Sequence, residues 1–313
     1  MRAAARLAMA SAVAVALLAW LTRDVDWSRL SGAVRPVPWW TWPATVLGLC
    51  ASYLFRALRI QAELGRRRPV RLGECLTVML VHNAAVNVLP MRGGEAAYPW
   101  LLHRRLGVPV SHAVASLVWF RVQDVIVLGF AASALWPGVE PAARLGAAGG
   151  LAALVLGALR LLERAATSGA AAPGRGPVRA ARAALQALAL APRHGWRGWV
   201  FCAASWGAKL AALGALLAAL AGLGRLEGST GALGGELAGV LPVQGPAGLG
   251  TYEAGVFGGA ALQGRNAAEI APSALAVHLL SFATAIAAGA VAHAVSRRRP
   301  ERTPSPRLEH DHG

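Results

Sequence analysis

Long apolar runs alternate with short clusters of arginine along most of the chain. The runs cover residues 3–21, 40–58, 111–136, 145–162, 198–223 and 270–295. Each approaches or exceeds the ~20 residues that an α-helix needs to cross a bilayer, and each is read as a transmembrane helix. Two further apolar stretches are interrupted. Residues 74–89 end at Leu89-Pro90, pass through Arg92-Gly93-Gly94-Glu95 and resume as a short run over 96–102. Residues 229–263 carry glycines at 231, 234, 235, 239, 245, 248, 250, 255, 258 and 259, with Leu241-Pro242 near the centre and Glu253 beyond it. Proline removes a helix donor and glycine costs backbone entropy, so neither stretch reads as one continuous helix. Broken backbone at membrane depth persists only where protein or a water-lined cavity satisfies its polar groups. Asn83–Glu95 and Leu241–Glu253 are therefore expected to mark the working centre.

The basic clusters orient these segments by the positive-inside rule. Arg2 and Arg6 precede the first run, which has signal-peptide character but is read as a retained helix. Arg56, Arg59, Arg66, Arg67, Arg68 and Arg71 are read as one cytoplasmic cluster, as are Arg104-Arg105, the arginines of 163–197 and Arg297–Arg299. Trp39, Trp40 and Trp42 mark an interface, while 137–144 and the Arg225–Glu227 turn fall outside. The first broken stretch thus enters from the cytoplasm and returns there; the second enters from the opposite side. The expectation is an all-α membrane protein with six full transmembrane helices plus two re-entrant helical hairpins in an inverted repeat. Residues 1–296 form one polytopic domain with halves of about 1–136 and 137–296, and 297–313 form a disordered tail. Both termini are placed in the cytoplasm and the protein in the plasma membrane. Residues 177–191 read equally well as a helix on the membrane surface or a solvated connector.

Composition supports this class. The chain has 313 residues, 56% of them hydrophobic and 15% charged, with mean hydropathy +0.47. A soluble domain of this size needs more surface charge. The net charge of +16 is almost all arginine, with Lys209 the single lysine. Because the arginines lie between apolar runs, they describe membrane topology rather than a nucleic-acid surface. Cys50, Cys75 and Cys202 match no metal or redox spacing and are read as small buried apolar residues. His310-Asp311-His312 on the tail is not expected to hold a metal, and no cofactor is expected. G-x-S-x-G, H-E-x-x-H and the Walker loop do not occur, and Gly245, Gly248 and Gly250 lack the β-α context of a nucleotide fingerprint. The chain is accordingly not expected to be an enzyme.

A charge at the bilayer centre costs roughly 2.5–3.5 kcal/mol, so those that remain need a partner or a cavity. Arg121 and Asp124 lie three apart on one helical face and are placed to pair. Arg92 and Glu95 sit at the first turn, where an arginine beside freed backbone N–H groups suits an anionic headgroup. Gln244, Tyr252 and Glu253 belong to the second stretch. Lys209 is read as a counter-ion for Glu95, Asp124 or Glu253, with snorkelling as the alternative. Asn83 and Asn87, four apart, can bind backbone or a headgroup; His82 is read as a packed histidine and Glu236 as a residue of the outer interface.

The motifs occur in a definite order: N-x-L-P-x-R-x-G-E from Asn87 to Glu95, Arg121 with Asp124, then L-P-x-x-G-x-x-G-x-G-x-x-E from Leu241 to Glu253. This series resembles the lysylphosphatidylglycerol synthase transmembrane-domain family over about residues 1–296. The resemblance implies a flippase-like protein that moves lipids or lipid-linked groups between leaflets. It also implies that the soluble aminoacyl-transfer domain of the full synthases is absent here. Two positions depart from the family pattern: Tyr98 stands where an arginine is usual and Phe120 where a glutamate is usual. Under this reading Arg92, Arg121 and Lys209 hold a phosphate, while Glu95, Asp124 and Glu253 set the arginines and offer a route to proton coupling. The expected partner is a membrane phospholipid or lipid-linked substrate, with no nucleic acid. The other readings are an intramembrane transferase acting on a lipid-linked substrate and a scaffold for an envelope-building complex.

Overall fold

The computed structural model describes residues 27–34, 36–65, 69–89, 94–167, 195–240 and 246–297. The first apolar run, the Arg92 turn, the 177–191 segment, Gln244 and the tail from 298 lie outside the described residues. Among the described residues every regular element is helical. In chain order they are α1 (Trp27–Val34), α2 (Thr41–Leu64), α3 (Leu72–Val88), α4 (Ala97–Leu106), α5 (Val110–Leu135), α6 (Pro141–Thr167), α7 (Trp196–Ala221), α8 (Arg225–Val240), α9 (Thr251–Ala261) and α10 (Ala267–Arg297). Four stretches are long and apolar enough to span a bilayer: Val110–Leu135, Pro141–Leu162, Trp196–Ala221 and Ala267–Ser296. The chain is thus a multi-pass helical membrane protein. Helix α2 has the length, 24 residues, but is less apolar because it carries Arg56, Arg59 and Glu63. Helix α1 lies between the first two apolar runs, where Trp27, Leu30 and Val34 recur at helical spacing.

Local chemistry sets several boundaries. Gly107 ends α4 in the left-handed region at φ 59°, and the Val108 N–H closes back on the Leu102 carbonyl. Only glycine takes that conformation without a Cβ penalty. Within the helices, Thr45, Thr77 and Thr284 donate to the carbonyl four residues back, which hides a hydroxyl that hydrocarbon would reject.

Helices α2 and α7 pack along one another in antiparallel sense. Gly48 faces Ala212, Ser52 faces Ser205 and Arg59 faces Cys202. Helices α8 and α9 form a tighter antiparallel pair. A Cβ on Gly234 would collide with the Gly255 carbonyl, and one on Gly259 would collide with the Thr230 carbonyl. Small residues of this kind let backbones approach where lipid supplies no hydrophobic drive. Helix α3 packs on α10, with Gly289 against Ala84, and α8 packs on α5. One apolar cluster joins α2 to α5 through Ile60, Val78, Leu102 and Phe120. A second joins α2 to α7–α10 through Leu49, Leu217, Val256 and Val277. Helix α6 packs on α5, with Leu159 in the first cluster, and leaves Leu145, Leu154 and Leu161 exposed. Between the clusters lies the polar interior.

Candidate functional site

Arginine and carboxylate side chains meet in a cavity of about 190 Å³ walled by α2 to α5, α7 to α10 and the turn Pro246–Gly248. Three of the walls supply cations. Helix α2 presents Arg56 and Arg59 one turn apart, α5 presents Arg121 and α7 presents Lys209. The sequence reading places Arg56 and Arg59 in a cytoplasmic basic cluster. That placement is corrected here: α2 runs on to Leu64, which carries both arginines inside the helix bundle, and Arg59 is only 4% exposed.

Asp124 is the hub. Its Oδ1 accepts from Arg59 Nη1 at 2.7 Å, Trp206 Nε1 at 3.0 Å and Cys202 Sγ at 3.4 Å, and its Oδ2 accepts from Arg121 Nη1 at 3.5 Å. A buried carboxylate is tolerable only when paired and hydrogen-bonded in this way. The pairing of Arg121 with Asp124 expected from their spacing is present, but Arg59 is the closer partner. Arg59 also donates to the Phe120 carbonyl and lies over the Phe120 ring at 4.3 Å. Phe120 thus offers the arginine both a ring face and its backbone oxygen. Arg121 continues the network to Glu95 Oε1 at 3.0 Å.

Lys209 is buried beside a different carboxylate than expected. Its Nζ lies 2.6 Å from Glu236 Oε2, not beside Glu95, Asp124 or Glu253. Glu236 is 7% exposed, so its assignment to the outer interface is also corrected. The physical reason is the antiparallel packing of α8 on α7, which brings position 236 level with 209.

At the opposite wall Glu253 caps α9, its Oε2 accepting from the Gly250 N–H at 2.8 Å. Its Oε1 lies 2.8 Å from His278 Nδ1, and the Tyr252 and His278 rings lie 4.5 Å apart at centroid. The nearby turn holds Ala247 at φ 55°, an uncommon conformation for a residue with a Cβ.

Asn83, Asn87, Arg121, Asp124, Lys209 and Tyr252 all line the cavity, while Glu95 and Glu253 reach it through Arg121 and His278. Asn87 spends its amide on the Asn83 carbonyl at 2.7 Å. His82 is buried edge-on to Tyr98, and it lines the cavity as well. Cys75 and Cys202 are buried as expected, but Cys50 is exposed and Cys202 donates to Asp124. Arg92 and Gln244 lie outside the described residues. Sequence reasoning missed Arg56, Arg59, Trp206 and His278. Two signals were available. Ser52, Arg56 and Arg59 recur every three to four residues on one helical face. His278 sits inside an apolar run, where an ionisable residue marks function by default.

No curated protein matches the chain. Against known families, residues 7–289 match the lysylphosphatidylglycerol synthase TM region, and the chain belongs to that family.

Proposed function

We propose that the chain is a flippase-like protein of the cell membrane, which moves lipid or lipid-linked headgroups between leaflets through the cation-walled cavity. The observation that carries this reading is the concentration of four cations in a cavity between membrane helices. Such charges are expensive in hydrocarbon and are kept where a polar solute passes. Transport fits better than catalysis because each carboxylate is already engaged. Asp124 and Glu95 hold arginines, Glu236 holds Lys209, and Glu253 meets His278.

The architecture proposed with it is six full spans and two re-entrant hairpins. Helices of 17, 10, 16 and 11 residues make up α3, α4, α8 and α9. At 1.5 Å per residue none reaches the ~30 Å hydrocarbon thickness. Helix α2 adds a fifth span, and the run 3–21, expected as the sixth, lies outside the described residues. The inverted repeat is supported by matched neighbours: α2–α5 correspond to α7–α10, with α3 on α10 as α8 is on α5, and α2 antiparallel to α7. An inverted repeat of interrupted helices around one site is an architecture of secondary transporters. By arginine distribution both termini face the cytoplasm.

The test is translocation of fluorescent phosphatidylglycerol in liposomes containing the purified protein. Wild type is expected to move the lipid well above the rate of empty liposomes, and Arg121→Gln to slow it about tenfold or more, in line with the loss of a charge-assisted contact. A wild-type rate equal to that of empty liposomes would sink the proposal.

A further inference from the structure

The cations of the cavity are not equivalent. Arg59 and Arg121 share Asp124 and Glu95, and Lys209 has Glu236. Three cations therefore meet three carboxylates. His278 and Glu253 form a separate pair. Arg56 is left over: among the described residues no carboxylate lies within ion-pair distance of it. Its Nε donates to Ser205 Oγ at 3.1 Å, and Ser205 is held in turn by Ser52 at 3.2 Å. Its guanidinium lies over the Trp206 ring at 4.8 Å, and Trp206 is fixed by its own bond to Asp124. One edge and one face are thus occupied, while the two Nη groups remain on a half-buried side chain that lines the cavity.

We infer that Arg56 is the anion seat of the cavity, where its Nη fork receives the two non-bridging oxygens of a phosphodiester headgroup. The inference rests on the transport reading and deepens it. A guanidinium fork matches two equivalent oxygens in one plane, and tethering at Nε removes rotamer freedom before the ligand arrives. Asp124 is already shared by Arg59 and Arg121, so Arg56 feels its charge without direct contact, and a single negative charge in the seat gives it a direct ion pair. Arg59 is the contrasting case. It is held by Asp124, Cys202 and the Phe120 carbonyl and has a structural part.

The experiment measures binding of dihexanoylphosphatidylglycerol, and translocation of its long-chain fluorescent analogue, for wild type, Arg56→Gln and Arg56→Lys. Arg56→Gln is expected to weaken binding about 10–100-fold, the range for a charged hydrogen bond. Arg56→Lys keeps the charge but loses the fork and should fall between the two. Equal affinity in wild type and Arg56→Gln overturns the seat while leaving the transport reading intact. If Arg56→Gln does not fold, unchanged affinity in Arg56→Lys overturns the fork. A wild type that neither binds nor moves the lipid removes the transport reading and the seat with it. Diethyl phosphate binding as tightly as the lipid, and as dependent on Arg56, would make the seat one for soluble oxyanions and overturn the lipid assignment.

Discussion

The two interrupted helix pairs each bring a glutamate to the cavity, and they are held in different proportions by backbone and side-chain contacts. In α8–α9 the packing is backbone against backbone, with Gly234 against Gly255 and Gly259 against Thr230. Its Glu253 is tied to its own helix start through the Gly250 N–H. In α3–α4 the helices pack mainly by side chains, with Tyr98, Leu101 and Leu102 buried among Cys75, Val78 and Met79, and the backbones approach at the turn, where Gly94 lies against Ala85. Its Glu95 bonds a residue of another helix, Arg121, and through it joins the Asp124 hub. The first pair is closed along its length by backbone contact; the second is tied through its glutamate to the polar network. The difference predicts where each will fail.

The largest effect is expected at Gly234. In Gly234→Val the new side chain meets the Gly255 carbonyl, which is backbone and cannot rotate aside. Overpacking usually costs about 1–3 kcal/mol, and a branched side chain driven into fixed backbone goes well beyond that range because the α8–α9 pair must part. The expected result is loss of monodisperse protein after extraction, read by size-exclusion chromatography. Gly258→Ala, where nothing lies within 4 Å of the added Cβ, should behave as wild type. Equal loss in both would mean that the α8–α9 pair is not close-packed.

Asp124→Asn comes next and attacks the other pair. Removing one partner of a buried ion pair costs about 3–5 kcal/mol, because Arg59 is left charged and uncompensated. Glu95→Gln should cost far less. Its side chain is 30% exposed, and Arg121 keeps Asp124. Thermal unfolding in detergent checks the order. If Glu95→Gln proves the more damaging, the hub is misplaced.

These residues also show what a sequence can and cannot reveal. Helix positions were legible because long apolar runs have few alternatives; α5, α7 and α10 follow the expected runs within a few residues. The broken stretches were legible because proline and glycine leave a local mark. Which charges meet was not legible. The Lys209–Glu236 contact depends on how α8 slides along α7, and the Arg59–Asp124 contact joins residues 65 apart in the chain. Neither register nor long-range pairing is encoded in hydropathy. Arg56 and Arg59 were hidden for a different reason. They adjoin Arg66–Arg68, so a charge count blends helix interior with cytoplasmic cluster.

The smallest effect is expected outside the membrane spans, at the start of α8. Glu227 accepts from the Gly224 N–H at 2.7 Å and from Arg265 Nε and Nη2, both at 3.0 Å. The backbone bond first, and the guanidinium second, hold its carboxyl below the ordinary value of 4.5. A carboxylate lowered on folding adds stability above its unfolded value, and that contribution is lost as pH falls through the lower folded value. Solvent reaches this pair, so the effect is modest and salt-screened. The melting temperature of wild type should exceed that of Glu227→Gln near neutral pH. The gap should close as pH is lowered below the ordinary carboxylate range, and should narrow in about 1 M salt. A gap that ignores both pH and salt would assign the residue's part to packing of the α8 start against the α9–α10 turn rather than to its charge.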